Sequence, residues 1–76
     1  MFEAGDIGLS KNAPQIITSF FKVIEVMNDG EDLRVEYLVS DEGHATGVTD
    51  DHRNKKSAKC RKATADELAQ FECFGR

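Results

Sequence analysis

The sequence predicts a small, mainly β domain, and three observations carry that reading. Asn28-Asp29-Gly30-Glu31-Asp32 separates two apolar runs, Phe20 to Met27 and Leu33 to Val39. Asn, Asp and Gly tolerate positive φ, so the chain can reverse there and pair the two runs as an antiparallel hairpin. Leu33, Val35, Tyr37 and Val39 alternate with Arg34, Glu36 and Ser40, the period of a half-buried strand, with Leu38 alone out of step. Large apolar side chains are dense up to Val39, whereas Val48 is the one large aliphatic from Ser40 through Glu67.

In chain order, Gly5-Asp6-Ile7-Gly8-Leu9 reads as a turn feeding a first strand, with Ile7 and Leu9 on one face. Ser10 to Gln15 is a loop, because Pro14 cannot donate to a ladder and pushes Ala13 out of the α region. Pro14 to Met27 reads two ways. Ile16, Ile17, Phe20, Phe21, Ile24 and Met27 fall at helical spacing, and Asn12 and Pro14 suit a helix start. Phe20, Phe21, Val23, Ile24 and Val26 are β-branched or aromatic, which favours a strand over Phe20 to Met27, with a helical turn at Ile16 to Ser19 before it.

After the third strand, Gly43 and Gly47 bracket a weak fourth, about Ala45 to Thr49, and Asp50 to Lys56 reads as a polar turn. Ser57 to Lys62 alternates small and charged residues, as an edge strand does. Thr64-Ala65-Asp66-Glu67 is a capping box opening a short helix, with Leu68 and Phe71 on one face and Gly75 as its stop. Leu68, Phe71 and Phe74 would close the core.

The 76 residues make one domain near the lower size limit for unaided folding. The apolar-poor stretch, residues 41–57, buries too little surface to offset its ordering entropy and is expected to be partly mobile. No basic segment precedes an apolar core at the N-terminus, and nothing nears the roughly 18 consecutive apolar residues of a membrane helix. These absences predict a soluble, cytoplasmic protein without membrane association. Two cysteines, Cys60 and Cys73, make no disulfide framework and read as free thiols.

Five short strands with a closing helical turn suggest a small, strongly bent barrel. The chain resembles the short SH3-like barrel domains of bacteriophage and bacterial genomes. The residues carrying the resemblance are Phe2-Glu3-Ala4-Gly5-Asp6-Ile7, the valine-rich hairpin from Phe21 to Val39, and Arg61-Lys62-Ala63-Thr64-Ala65-Asp66-Glu67-Leu68. The resemblance implies a fold and a viral or prokaryotic origin, and it transfers no catalytic residues. The long polar stretch 41–56 departs from the pattern.

Charge is sorted along the chain. The net charge is −4, but residues 1–51 hold Lys11, Lys22 and Arg34 against eleven carboxylates. Arg53, Lys55, Lys56, Lys59, Arg61 and Lys62 follow with no acid among them. Three uses compete for this basic segment: pairing with the chain's own carboxylates, contact with a protein partner, or neutralisation of nucleic-acid phosphates. No aromatic residue lies among the cations to stack a base, and the acidic remainder repels a polyanion, so nucleic acid ranks below the other two.

Other chemistry is thinner. His44, His52, Cys60 and Cys73 are separated by seven, seven and twelve residues, without the tight pair that zinc sites show, so no metal or cofactor is expected. The doublets Glu31-Asp32, Asp41-Glu42 and Asp50-Asp51 read as solvated turn residues, since neighbours on a strand face opposite ways. Cys60 beside basic residues is the one candidate nucleophile, with either histidine as base, and a chain this small has little room for a walled cleft. The expectation is therefore a non-enzymatic protein-interaction module, phage-encoded and directed at a host or viral protein. A nucleic-acid-binding accessory domain is the alternative.

Overall fold

A computed structural model describes residues 1–71. Five strands, β1 (Ile7–Ser10), β2 (Phe20–Met27), β3 (Asp32–Asp41), β4 (His44–Lys56) and β5 (Cys60–Lys62), precede one helix, α1 (Ala65–Phe71). All pairings are antiparallel and the sheet order is β4-β3-β2-β1-β5. Two edges, β4 and β5, are left unpaired with each other. The closed barrel anticipated from the sequence is thus an open five-stranded sheet. It nevertheless curls: Lys55 on β4 reaches Ser10 on β1, Nζ to Oγ 3.1 Å.

The hairpin at the centre forms as the sequence predicts. Asn28, Asp29 and Gly30 take φ of 53°, 57° and 93°, all left-handed, and so turn β2 back onto β3. A short 3-10 turn at Ile17–Ser19 leads into β2, which spans Phe20 to Met27 as expected. Val23 faces Val35 and Val26 faces Leu33, with a bulge between that leaves Ile24 unpaired and partly exposed. The bulge lets residues three apart, Val23 and Val26, pack on one face.

Leu38, the residue out of step in β3, marks a second covered face. Phe2, Phe21, Val23, Leu33, Val35 and Cys60 fill one side of the sheet, with Val26 and Tyr37 against them. Leu9, Ile17, Phe20, Leu38 and Phe71 fill the other, where Ile7, Ala45, Val48, Ala63 and Leu68 also pack. Phe20 and Phe21 are adjacent and both fully buried, one on each face. Val39, expected to point inward, is 41% exposed beyond the end of this core. Phe2 was not anticipated as a core residue.

Two further expectations are corrected. The polar stretch after Val39 forms no turn at Asp50 to Lys56; β4 continues through it for 13 residues. Its surplus over β3 is absorbed in two irregularities: Glu36 pairs His52 while Leu38 pairs Val48, and Val39 pairs Gly47 while Ser40 pairs Ala45. An edge strand can carry such bulges because only one side must keep its ladder. Hydrogen bonding along β3 thus carries the strand through an apolar-poor segment whose Ala45 and Val48 alone pack against the core. The strand expected over Ser57 to Lys62 begins instead as a 3-10 turn at Ser57–Lys59, leaving Cys60 to Lys62 to pair with β1. Ser57 pins that turn to the β2–β3 reversal, its Oγ donating to the carbonyls of Gly30 at 2.5 Å and Glu31 at 3.1 Å.

The capping box closes as read: Glu67 N donates to Thr64 Oγ1 at 3.1 Å, and Thr64 N to Glu67 Oε1 at 2.9 Å. Glu67 also takes both arms of Arg61, Nη1 and Nη2 each at 2.8 Å, tying α1 to β5. The Arg61 guanidinium and the Thr64 amide hold the Glu67 carboxyl down at about 2. Its folded pKa thus lies below its unfolded one, so stability from this carboxylate is complete above the ordinary value of 4.5 and is lost as pH falls toward 2. A urea midpoint that declines over this window in the native chain, and declines less in Glu67→Gln, is the expected result. Gly75, Phe74 and Cys73 lie outside the described residues.

A basic groove as the candidate interaction site

The six cations of the basic segment do not act as one patch. Arg53 on β4 pairs with its neighbour Asp51, Nη2 to Oδ2 2.8 Å. Arg61 is taken by Glu67, which raises its pKa further, and Lys62 lies 3.4 Å from Asp6. Arg61 and Lys62 line a further depression with Met1, Phe2 and Gly30. Lys56 binds Asp32 at 2.7 Å, a contact that raises the Lys56 pKa and, with a further hydrogen bond from Asn28, lowers that of Asp32. Four of the six cations are therefore matched to carboxylates of the same chain.

Lys55 and Lys59 are the exceptions. Lys55 projects from β4 on the face of Leu33 and Val35, and its register partner is Leu33. Its ammonium sits 5.3 Å from the Tyr37 ring centroid and 5.9 Å from that of Phe21, and donates to Ser10 Oγ. Both rings attract a cation through their π faces. Among the described residues neither Lys55 nor Lys59 meets a carboxylate. Lys11 is in the same position, and its backbone amide donates to the Lys59 carbonyl at 2.9 Å, placing the two segments side by side.

These side chains border one shallow groove made of three adjoining depressions. Met27, Asn28, Asp32, Asn54, Lys55 and Lys56 line the first, of about 370 Å³. Ser10, Asn54, Lys55, Lys56, Lys59 and Cys60 line the second, of about 270 Å³. Ser10, Lys11, Asn12, Ala58 and Lys59 line the third, of about 430 Å³. The groove runs from the β2–β3 turn, past the 3-10 turn, to the loop after β1. Sequence reasoning found Lys55, Lys56 and Lys59 and missed Ser10, Lys11, Asn12 and Asn54. Lys11 lies 44 residues from Lys55 along the chain; the pairing of β1 with β5 sets Lys11 beside Lys59, and the curl that carries Lys55 to Ser10 brings in the third cation.

Cys60 belongs to the core rather than to the groove's chemistry. It is 5% exposed, and burial pushes its thiol pKa up against the opposing pull of Lys55 and Ser10. A thiol held protonated is a poor nucleophile. Both histidines are exposed; His52 Nε2 lies 2.5 Å from Glu36 Oε1 across the β3–β4 pair. Among the described residues, no three of His, Cys, Asp and Glu converge as a metal site would require. No helix among them is long and apolar enough to cross a membrane. Comparisons with protein-family models, with curated proteins and with solved structures found no match.

Proposed function

We propose that the chain is a non-enzymatic protein-interaction module whose contact surface is the groove around Ser10, Lys55 and Lys59. The observation that carries this reading is the sorting of the cations. Arg53, Lys56, Arg61 and Lys62 are matched internally, while Lys55, Lys59 and Lys11 gather, without carboxylate partners among the described residues, along one open groove. Uncompensated charges at a groove rim act mainly on encounter with a partner. The shallow walls and the protonated Cys60 thiol favour binding over catalysis. The sequence resemblance to SH3-like domains, carried by Phe2 to Ile7, the Phe21 to Val39 hairpin and Arg61 to Leu68, points to a phage or bacterial origin with a host or viral protein as partner.

The test is a pull-down from bacterial lysate, run with and without nuclease, with the native chain and the Lys11→Gln, Lys59→Gln double variant as baits. Both lysines are exposed, so the variant should keep the native urea midpoint. The expected result is a stoichiometric protein captured by the native bait and depleted in the variant. Equal capture by both baits removes the groove from the reading. Capture abolished by nuclease, with DNA or RNA affinity falling steeply as salt rises, would establish the nucleic-acid alternative instead.

A further inference from the structure

We infer that the groove's occupant is a short acidic peptide segment of a partner protein, its carboxylates set against Lys55, Lys59 and Lys11. The inference rests on the interaction-module reading and adds the chemistry of the ligand.

Lys55 is the anchor. A lysine in free solution must give up considerable side-chain freedom to hold an anion. Lys55 has already been ordered by the fold, through the rings of Phe21 and Tyr37 and through Ser10. One of its three N–H groups serves Ser10, so a carboxylate can be received with little further ordering. Lys59 borders the same depression as Lys55, and the next depression is shared by Lys59 and Lys11. A ligand lying along the groove therefore meets successive cations.

The other end of the groove distinguishes a peptide from a nucleic acid. There Lys56 is already held by Asp32, and Glu31 and Asp29 stand in the adjoining turn. A nucleic acid carries a charge at every nucleotide and cannot leave this end uncharged. A peptide can place carboxylates opposite Lys55, Lys59 and Lys11 and neutral residues beside Asp32. The Asn28 and Asn54 side chains lining that end suit a neutral polar chain. Base stacking also lacks a platform, because Phe21 is fully buried and Tyr37 half-buried under Lys55.

The experiment is fluorescence-anisotropy titration of the whole chain at low salt with three labelled probes. These are an octapeptide alternating Glu and Ala, the same peptide with Gln for Glu, and an octathymidylate. The expected order is Glu peptide tightest, with Gln peptide and oligonucleotide weaker by about tenfold or more, the scale of losing a charge-assisted hydrogen bond. Lys55→Met, which removes the charge at similar side-chain length, should weaken the Glu peptide by a similar factor, and Lys59→Gln should do so with the fold untouched. Equal affinity for the Glu and Gln peptides overturns the inference, as does tighter binding of the oligonucleotide. If the Glu peptide fails while a nuclease-resistant partner is still lost from the Lys11→Gln, Lys59→Gln bait, the module reading stands and the acidic class falls.

Discussion

Gly8→Ala is expected to lower stability by about 3 kcal/mol, the upper part of the range for forcing a methyl into a packed core. A Cβ at Gly8 would lie 2.8 Å from the Arg61 carbonyl oxygen, 2.9 Å from Phe2 Cε1 and 3.2 Å from Phe21 Cε1. None of these can move freely. The carbonyl belongs to β5, paired to β1 through Gly8 and Lys62, and both rings are in the core. For a chain of this length, whose whole stability is on the order of 4–11 kcal/mol, such a loss is severe. Gly47→Ala is the control. Gly47 lies in β4 with nothing within 4 Å of a built Cβ and no positive φ, so its urea midpoint should stay within experimental scatter. Equal midpoints for the two variants would mean that β1 does not approach β5 and the Phe2 ring as described.

Phe20→Ala and Phe21→Ala are each expected to cost on the order of 3–5 kcal/mol. In a sheet with one covered face, adjacent residues differ sharply in burial, and only one of the two would matter. Here Phe20 stacks edge-on against Phe71 of α1 at 4.9 Å between centroids, and Phe21 packs edge-on against Tyr37 at 6.1 Å. Both are completely buried. Ile24→Ala, at the bulge and 37% exposed, should cost far less. Chemical denaturation of the three variants checks the arrangement. A large loss at Phe21 with none at Phe20 would show that α1 and the 3-10 turn at Ile17–Ser19 do not cover the second face.

Legibility of the candidate site followed the same physics as that of the fold. Residues close in sequence could be grouped from the sequence, so Lys55, Lys56 and Lys59 stood out together. Their individual fates could not be read, because each depends on a carboxylate or ring delivered by another strand. Lys56 is neutralised by Asp32 because β3 and β4 pair those two positions. Lys55, one residue earlier, faces the opposite side of the sheet and meets Phe21, Tyr37 and Ser10 instead. Alternation along a strand thus gives neighbouring lysines different roles.

The sequence by itself determined the features that arise within a few residues. The Asn28–Gly30 reversal follows from side chains that tolerate left-handed backbone, and the Thr64–Glu67 cap from two polar groups one helical turn apart. The β character of β2 follows from its branched and aromatic composition, and that of β3 from apolar residues at alternating positions. Tertiary structure alone decided what depends on pairing at a distance. It made β4 a continuous strand, since β3 supplies the hydrogen bonds that the segment's own composition does not advertise. It gave Leu38 a core of its own by laying Phe71 and Ile17 over the second face. It also joined Lys11 to Lys55 and Lys59 in one groove, because β5 returns alongside β1 and the curled sheet brings β4 to Ser10. Local propensity acts over a turn or two of chain, whereas register, edge position and charge pairing are settled only when remote segments share a sheet.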